Sequence, residues 1–253
     1  MRLVRVLLLL GLIARFAGAQ EPGKPFDPAH EWSVFGEYSN ASSQILLGRS
    51  RDRHLAAFGG SYSLRLKTNR IASWRWQFEA VPVTFVSNPR LTTVETDTIS
   101  EPPGQEQFTA TAESLQLNNC KSSSGAGELL EVSGSVTTVI GSYTYTNTCT
   151  HPVTYGGGIS PLGQRINFFP HRSLQPYFAA NAGFLLFTTS VPTIGATAFN
   201  FDFEFGMGLE WYRRPGRAWS VDYRYHHISN AYTGNENPGI DNGTFRVAYT
   251  FSR

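Results

Sequence analysis

The sequence predicts an all-β fold, an eight-stranded antiparallel transmembrane β-barrel with one long loop insertion. First, about eight segments alternate apolar and polar residues with the period of two that characterises a strand. Second, 13% aromatic residues, 24 glycines and only 16% charged residues suit a β-rich chain with exposed apolar surface. Third, short and long connections alternate along the chain, as they do in transmembrane β-barrels.

The amino-terminal residues 1–19 have the layout of a cleaved signal peptide. Arg2 and Arg5 precede an apolar run over residues 6–13, and small residues follow at 17–19. The run is too short to span a bilayer as a helix. We therefore expect an exported protein whose mature chain comprises residues 20–253.

The charge of the mature chain excludes a general affinity for nucleic acid. Subtracting Arg2, Arg5 and Arg15 from the 21 basic residues leaves 18, against 19 acidic residues. The net charge is thus about −1, which offers no electrostatic attraction to a polyanion.

Strands are predicted at eight segments, namely 31–40, 53–67, 71–86, 155–169, 174–189, 197–213, 217–229 and 241–252. The clearest alternation runs from Phe199 to Trp211, where every odd position is apolar and every even one is polar or glycine. Periodicity alone fits a soluble sandwich or lipocalin equally well. The bulk of the apolar side chains favours a membrane barrel, because so small an interior could hardly hold them. The predicted polar lumen comprises Arg75, Glu79, Asp202, Glu204, Asp222, Arg224 and Arg246.

Three short connections, 67–70, 169–172 and 213–217, lie at one end of the predicted barrel. The longer ones, 41–52, 87–154 and 230–240, lie at the other end with the intermediate connection 190–196, which places them outside the cell if the amino terminus is periplasmic.

Segment 87–154 is a predicted extracellular loop insertion, rich in Thr, Ser, Gly and Asn. It holds the only cysteines, Cys120 and Cys149, which we expect to pair in an exported chain. Closing this loop is worth roughly 3 to 4 kcal/mol in the chain-entropy model. Residues 129–132 and 136–140 are candidates for a small hairpin. No His/Cys cluster supports metal binding.

Strand parity brings three polar residues together near the end of the chain. Tyr225, His227 and Ser229 fall on one apolar face, and Asp241 shares parity with the apolar residues of the last strand. An antiparallel hairpin then places a hydroxyl, a base and a carboxylate on one face, which are the parts of a serine nucleophile site. His226 falls on the opposite, lumenal face. The alternative is that a polar loop simply carries its usual Asn, Gly and Asp residues.

The motif His227-Ile-Ser-Asn-Ala, followed by Asn237-Pro-Gly-Ile-Asp241, resembles the signature of the outer-membrane lipid A 3-O-deacylase family, the PagL-type acyloxyacyl hydrolases. The resemblance implies an eight-stranded barrel with a serine esterase site facing the membrane. Two positions differ from the family pattern: the acid, commonly Glu, is Asp241, and Tyr232 stands where a small residue is expected. The implied roles are nucleophile for Ser229, base for His227, orienter for Asp241, and positioning or oxyanion stabilisation for Asn230, Asn237 and Gly239.

The same resemblance implies lipid A of lipopolysaccharide as substrate, the Gram-negative outer membrane as location, and neither cofactor nor metal. The oligomeric state is open, with a homodimer as one candidate. In the first long connection, Arg49, Arg51 and Arg53 could contact lipid phosphates or simply form a solvated rim. Two other functions stay open, an outer-membrane phospholipase and a non-catalytic structural or adhesive barrel.

Overall fold

The computed structural model describes residues 26–39, 42–101, 104–133 and 135–252, so the predicted signal peptide lies outside the described residues. Eight antiparallel strands close into a barrel, in the order β1-β12-β11-β10-β9-β8-β3-β2. All eight predicted strands are present within two residues of their expected bounds. They are β1 His30–Ser39, β2 Leu55–Thr68, β3 Ala72–Ser87, β8 Val153–Phe168, β9 Leu174–Val191, β10 Thr197–Arg214, β11 Arg217–Ser229 and β12 Ile240–Phe251.

The insertion between β3 and β8 forms a separate four-stranded antiparallel sheet of order β5-β4-β7-β6. A small hairpin was expected here, and β6 with β7 forms it. The other two strands were not predicted from the sequence. Cys120 and Cys149 are joined by a disulfide bond that ties the segment before β6 to the end of β7. The strands are β4 Arg90–Glu101, β5 Gly104–Leu115, β6 Ser123–Ser133 and β7 Val136–Thr150.

The barrel closes through the pairing of its first and last strands. β1 and β12 are antiparallel, with a continuous register from Trp32 opposite Phe251 to Tyr38 opposite Phe245. Closure leaves no unpaired strand edge in the barrel, which is the condition for placing backbone hydrogen-bonding groups in lipid. No helix within the described ranges is long and apolar enough to cross a membrane.

The predicted inward and outward faces are confirmed. The charged residues assigned to the lumen are all buried, whereas Phe201, Phe203 and Trp211 of β10 are exposed on the outer surface. Buried charges are tolerable only when they are paired. Arg246 meets this condition by contacting carboxylate oxygens of Glu37 at 2.8 Å, Glu79 at 2.7 Å and Glu204 at 2.8 Å. Arg224 adds contacts to Asp222 at 2.7 Å and to Glu204 at 3.1 Å.

A small apolar cluster lies at the end of the barrel that carries the long connections. Its members come largely from the ends of strands at that end, including Leu55 of β2, Val86 of β3 and Val191 of β9. Ile228 and Ile240 belong to the same cluster and are direct partners between β11 and β12. Because these two side chains point inward, their neighbours along each strand point outward or toward the rim.

We predict that the barrel folds without the insertion. Replacing residues 90–152 with a short Gly/Asn turn should preserve heat-modifiable migration on gels, because β3 and β8 pair with each other independently of the sheet. Stability should fall by about 1 to 3 kcal/mol, since the buried Arg53 loses its acceptors on Gln116 and Leu117.

The matched control for this deletion is the Cys120→Ser/Cys149→Ser double variant, which keeps the insertion but removes its disulfide. It should migrate like the original protein. A shortened protein that fails to fold in detergent while the control folds would show that the insertion is required for barrel formation.

Candidate active site

His227 and Asp241 form a hydrogen-bonded pair between β11 and β12. They are direct register partners, and His227 Nδ1 lies 2.6 Å from Asp241 Oδ1. The Asp241 side chain is 0% exposed and that of His227 is 12% exposed. The bond to Nδ1 fixes the imidazole ring and leaves Nε2 as the nitrogen that can exchange a proton with a third group.

The Asp241 carboxylate accepts hydrogen bonds on both oxygens. In addition to His227, the hydroxyl of Tyr225 donates to Oδ1 at 2.7 Å. The backbone N–H groups of Leu46 and Leu47 donate to Oδ2 at 2.7 Å and 2.8 Å. Hydrogen bonds to an ionised carboxylate are stronger than those between neutral groups, so this arrangement holds Asp241 in its charged form and in one orientation.

These three donors were not predicted from the sequence. Tyr225 could have been identified from the sequence, because it shares the outward face of β11 with His227. In the structure the two rings are stacked, with 6.4 Å between their centroids. No sequence feature identifies Leu46 and Leu47 as donors, since almost every residue has a backbone N–H. Only the path of the connection between β1 and β2 brings them to the carboxylate.

The connection between β1 and β2 reaches Asp241 by lying closely against the start of β12. Ser42 bridges to Asn242 and Ser50 to Ile240. A Cβ atom added at Gly48 would lie 2.5 Å from the backbone nitrogen of Asp241, closer than real Cβ atoms approach. Glycine is therefore required at this position for the loop to approach the carboxylate.

Ser229 is the last residue of β11, half-buried, and lies opposite Phe201 of β10. It shares the outward face of the strand with His227, two residues earlier, as parity predicts. Among the described residues no hydrogen-bond partner of the Ser229 hydroxyl is found. The structure thus joins His227 to Asp241 and brings Ser229 near them on one face without a bond to His227. Such bonds are often long in enzymes without substrate.

A tight turn takes the chain away from the barrel directly after Ser229. Ala231 and Tyr232 have φ angles of 49° and 61°, and the N–H of Thr233 donates to the carbonyl of Asn230 at 3.0 Å. Positive φ at both central residues is typical of a type I′ turn. For residues other than glycine this conformation costs roughly 1 to 2 kcal/mol each. The strain therefore coincides with Tyr232, the position that differs from the family pattern.

The side chain of Asn230 holds this loop in place through hydrogen bonds to its backbone. It is 1% exposed, its Nδ2 donates to the carbonyl of Glu236 at 2.7 Å, and its Oδ1 accepts the N–H of Tyr232 at 3.0 Å. The Asn230 N–H donates to Oδ1 of Asn237 at 3.1 Å. These contacts fit a positioning role for Asn230, and its oxyanion role stays a prediction. The Nδ2 group of the half-buried Asn237 is left without a partner in the described part of the chain.

Gly239 positions the histidine ring. Its φ is +59°, and an added Cβ would lie 3.0 Å from Cε1 of His227. Both the backbone conformation and the space available therefore favour glycine. Any larger residue would push against the imidazole and disturb its bond to Asp241.

The three arginines of the first long connection occupy different environments. Arg49 and Arg51 are exposed, and Arg51 donates to Gln44 at 2.6 Å. Arg53 is 0% exposed, so the expectation that it contacts lipid phosphate is wrong. Its guanidinium is saturated by Asn88 Oδ1 and by the carbonyls of Arg51, Gln116, Leu117 and Pro192.

Burial lowers the pKa of Arg53 to about 10, against the opposing effect of the neighbouring carboxylate of Asp52. The guanidinium stays charged at neutral pH. Its physical role is to fasten the first connection to the insertion and to the connection after β9.

A groove of about 610 Å³ lies beside the candidate site, between the base of the insertion and the loop after β11. Arg49 lines it together with Tyr232 and Asn237, and Leu115 and Leu117 contribute apolar surface from the insertion. Asn237 therefore belongs both to the loop that holds the site and to the wall of the groove.

One group of described side chains could geometrically hold a metal ion, namely Glu37, Glu204 and His226, whose ligand atoms lie within 4.8 Å of one another. Arg246 already contacts both carboxylates at 2.8 Å. A cation added there would meet a guanidinium, so this lumenal cluster fits an internal ion-pair network better than a metal site.

Residues 115–250, more than half of the chain, match the family model of the lipid A 3-O-deacylase PagL. Similar solved structures include the outer membrane enzyme PagL, with 14% identity, 87% of this chain and 99% of that chain covered, and a TM-score of 0.48. Neisserial surface protein A has 10% identity, coverage of 89% and 98%, and a TM-score of 0.41. OprG from Pseudomonas aeruginosa has 8% identity, coverage of 91% and 100%, and a TM-score of 0.40. No curated protein matches the chain significantly.

We predict that Asp241→Asn abolishes the orientation of His227. Four donors converge on this carboxylate, two on each oxygen. An amide has only one oxygen, so its NH₂ group must face two of these donors in either orientation. Turnover should fall by about 10⁴-fold, the loss seen when a triad acid becomes an amide. Ester hydrolysis by refolded protein measures it.

The matched variant is Tyr225→Phe, which removes one donor and leaves the His227 bond intact. We expect it to lose far less activity than Asp241→Asn. Equal rates in Asp241→Asn and the original protein would reduce Asp241 to a structural residue at the strand end.

We predict opposite outcomes for the two adjacent histidines. His227→Ala should be folded but inactive, because it removes the outward base. His226 is buried, and its Nε2 lies 2.5 Å from Asp202 Oδ1 in the lumen. His226→Gln should therefore lower the midpoint of thermal unfolding and retain most of the activity. Activity lost in His226→Gln and kept in His227→Ala would contradict the face assignment.

Proposed function

Since the chain belongs to the lipid A 3-O-deacylase family, we propose that it is an outer-membrane esterase that hydrolyses the 3-O-acyl ester of lipid A. The observation that carries this proposal is the 2.6 Å hydrogen bond between His227 Nδ1 and Asp241 Oδ1, two residues from the outward-facing Ser229. An oriented base beside a hydroxyl is the minimum that nucleophilic ester cleavage requires.

In the proposed mechanism, Ser229 Oγ attacks the ester carbonyl carbon while its proton passes to His227 Nε2. Asp241 holds the ring and stabilises the imidazolium that forms. The tetrahedral intermediate collapses when the proton is returned to the oxygen of the departing sugar hydroxyl. A water molecule, deprotonated by His227, then hydrolyses the acyl-enzyme and releases the fatty acid.

The amide of Asn237 is the proposed donor to the oxyanion. Its Oδ1 accepts a hydrogen bond from the N–H of Asn230, and its Nδ2 group remains available as a donor. A single donor of this kind contributes on the order of 10²-fold to 10³-fold in turnover. Gly239 and the backbone groups of Leu46 and Leu47 act as positioning elements in this scheme.

The position of the site within the barrel supports a substrate in the outer leaflet. His227, Ser229 and Asp241 lie at the end that carries the long connections and the insertion, and long connections are extracellular in barrels of this type. Lipid A occupies that leaflet in Gram-negative bacteria. The outward direction of the site lets an acyl ester approach from the membrane without entering the lumen.

The exposed Arg49 is the proposed contact for a lipid A phosphate. It lines the groove that Asn237 also lines, so a sugar phosphate lying in the groove would be close to the reacting ester. Guanidinium groups bind phosphate through paired N–H donors. Arg51, already bonded to Gln44, would add a longer-range positive charge.

The testing variant is Ser229→Ala, with Ser43→Ala as control. Ser43 is an exposed serine at the same end of the barrel, and only its backbone N–H bonds to Asp241. Lipopolysaccharide incubated with refolded protein should lose one 3-O-linked acyl chain, measured by mass spectrometry of lipid A. We expect this loss with the original protein and Ser43→Ala, and its absence with Ser229→Ala.

Two results would contradict the proposal. Release of fatty acid from glycerophospholipid vesicles, with lipid A left intact, would identify a phospholipase. Cleavage of neither lipid by a heat-modifiable, folded protein would identify a non-catalytic barrel.

A further inference from the structure

A pocket of about 350 Å³ lies at the end of the barrel opposite the candidate site, around the turn between β10 and β11. Its lining combines positive charge with aromatic surface, and consists of Arg213, Arg214, Arg217, Trp219 and Tyr249. None of these residues takes part in the proposed hydrolysis, which occurs at the other end of β11.

The three guanidinium groups have no acidic partner. Among the described residues none of them forms a salt bridge, whereas the lumenal arginines are all paired with carboxylates. Arg214 and Arg217 are also register partners across the turn. Like charges directly opposite each other on neighbouring strands repel, so this arrangement favours an anion that lies between them.

Aromatic rings hold two of the arginines in place. The guanidinium carbon of Arg213 lies 5.9 Å from the Trp211 ring centroid, and that of Arg217 lies 5.7 Å from the Phe251 ring centroid. The turn is fixed by Gly216, which has φ of +71° and accepts a hydrogen bond from the N–H of Ser252 at 2.9 Å. The cations are therefore oriented by apolar contacts and by the turn, and their N–H donors remain available.

The direction in which the pocket opens indicates the source of the anion. Trp219 and Tyr249 pack against each other with 4.9 Å between ring centroids, and Trp219 is exposed on the outward face of β11. Tryptophan and tyrosine at the ends of barrel strands lie at the level of the lipid headgroups. An anion in this pocket is thus placed where a lipid phosphate lies, beside the aromatic girdle.

We propose that this pocket binds the phosphate of an anionic glycerophospholipid in the leaflet opposite the candidate site. Guanidinium groups bind phosphate oxygens through pairs of N–H donors. Three positive charges repel a headgroup that carries an ammonium group, so the pocket selects a headgroup with net negative charge. The acyl chains of the same lipid lie against Trp219 and the apolar surface of β11.

The test measures lipid binding and not hydrolysis. Refolded protein in detergent micelles is titrated with phosphatidylglycerol, phosphatidylcholine or inorganic phosphate, and bound adducts are counted by native mass spectrometry. We expect one phosphatidylglycerol molecule to bind with at least tenfold preference over phosphatidylcholine. Arg213→Gln/Arg214→Gln/Arg217→Gln should weaken this binding at least tenfold.

The matched control removes the same number of charges from the other two turns at this end, Lys67→Gln/Arg70→Gln/Arg172→Gln. These residues are exposed and lie outside the pocket, so binding should persist. Equal losses in both triple variants would show a diffuse charge effect and overturn the proposal. Phosphatidylglycerol binding displaced by millimolar inorganic phosphate would assign the pocket to free phosphate and overturn the lipid assignment.

Discussion

The buried guanidinium of Arg246 joins carboxylates from three other strands at the centre of the barrel, Glu37 of β1, Glu79 of β3 and Glu204 of β10. The rest of the structure depends on this pairing, because the lumen is filled with charges that have left water. Removing one partner of a buried ion pair costs about 3 to 5 kcal/mol. A strand slipped by one residue would turn every such charge toward lipid and every aromatic residue inward. The network therefore fixes the register as well as the interior.

That register separates two neighbouring histidines by function. His226 lies in the lumen against Asp202, and His227 lies on the outside against Asp241, although one peptide bond joins them. Ile228 follows and points inward to meet Ile240, which returns Ser229 to the outer face. The side chains of the candidate site thus point outward by the same alternation that directs the charged side chains into the lumen.

Strand parity predicted the strands and placed His227, Ser229 and Asp241 on one face, because a strand with one polar and one apolar face has a sequence period of two. The bulk of the apolar side chains was needed as well to predict a membrane barrel. Parity gave no information about connections. Arg53 lies in a charged segment that suggested solvent, and it is buried because Asn88, Gln116, Leu117 and Pro192 supply acceptors from distant parts of the chain. The strands β4 and β5 were missed because β5 is exposed on both faces and β4 is largely half-buried on both, so neither strand has a polar face opposite an apolar one.

The contact between the first long connection and Asp241 makes the orientation of this carboxylate depend on barrel closure. Leu46 and Leu47 follow the first strand, whereas Asp241 is the second residue of the last strand, so the donors and the carboxylate are 195 and 194 residues apart in sequence. They meet only when β1 pairs with β12. An unclosed precursor can pair β11 with β12 and so bring His227 to Asp241, but its carboxylate lacks the two backbone donors that fix Oδ2. Under the proposed mechanism, the acid is therefore fully oriented only in the closed barrel.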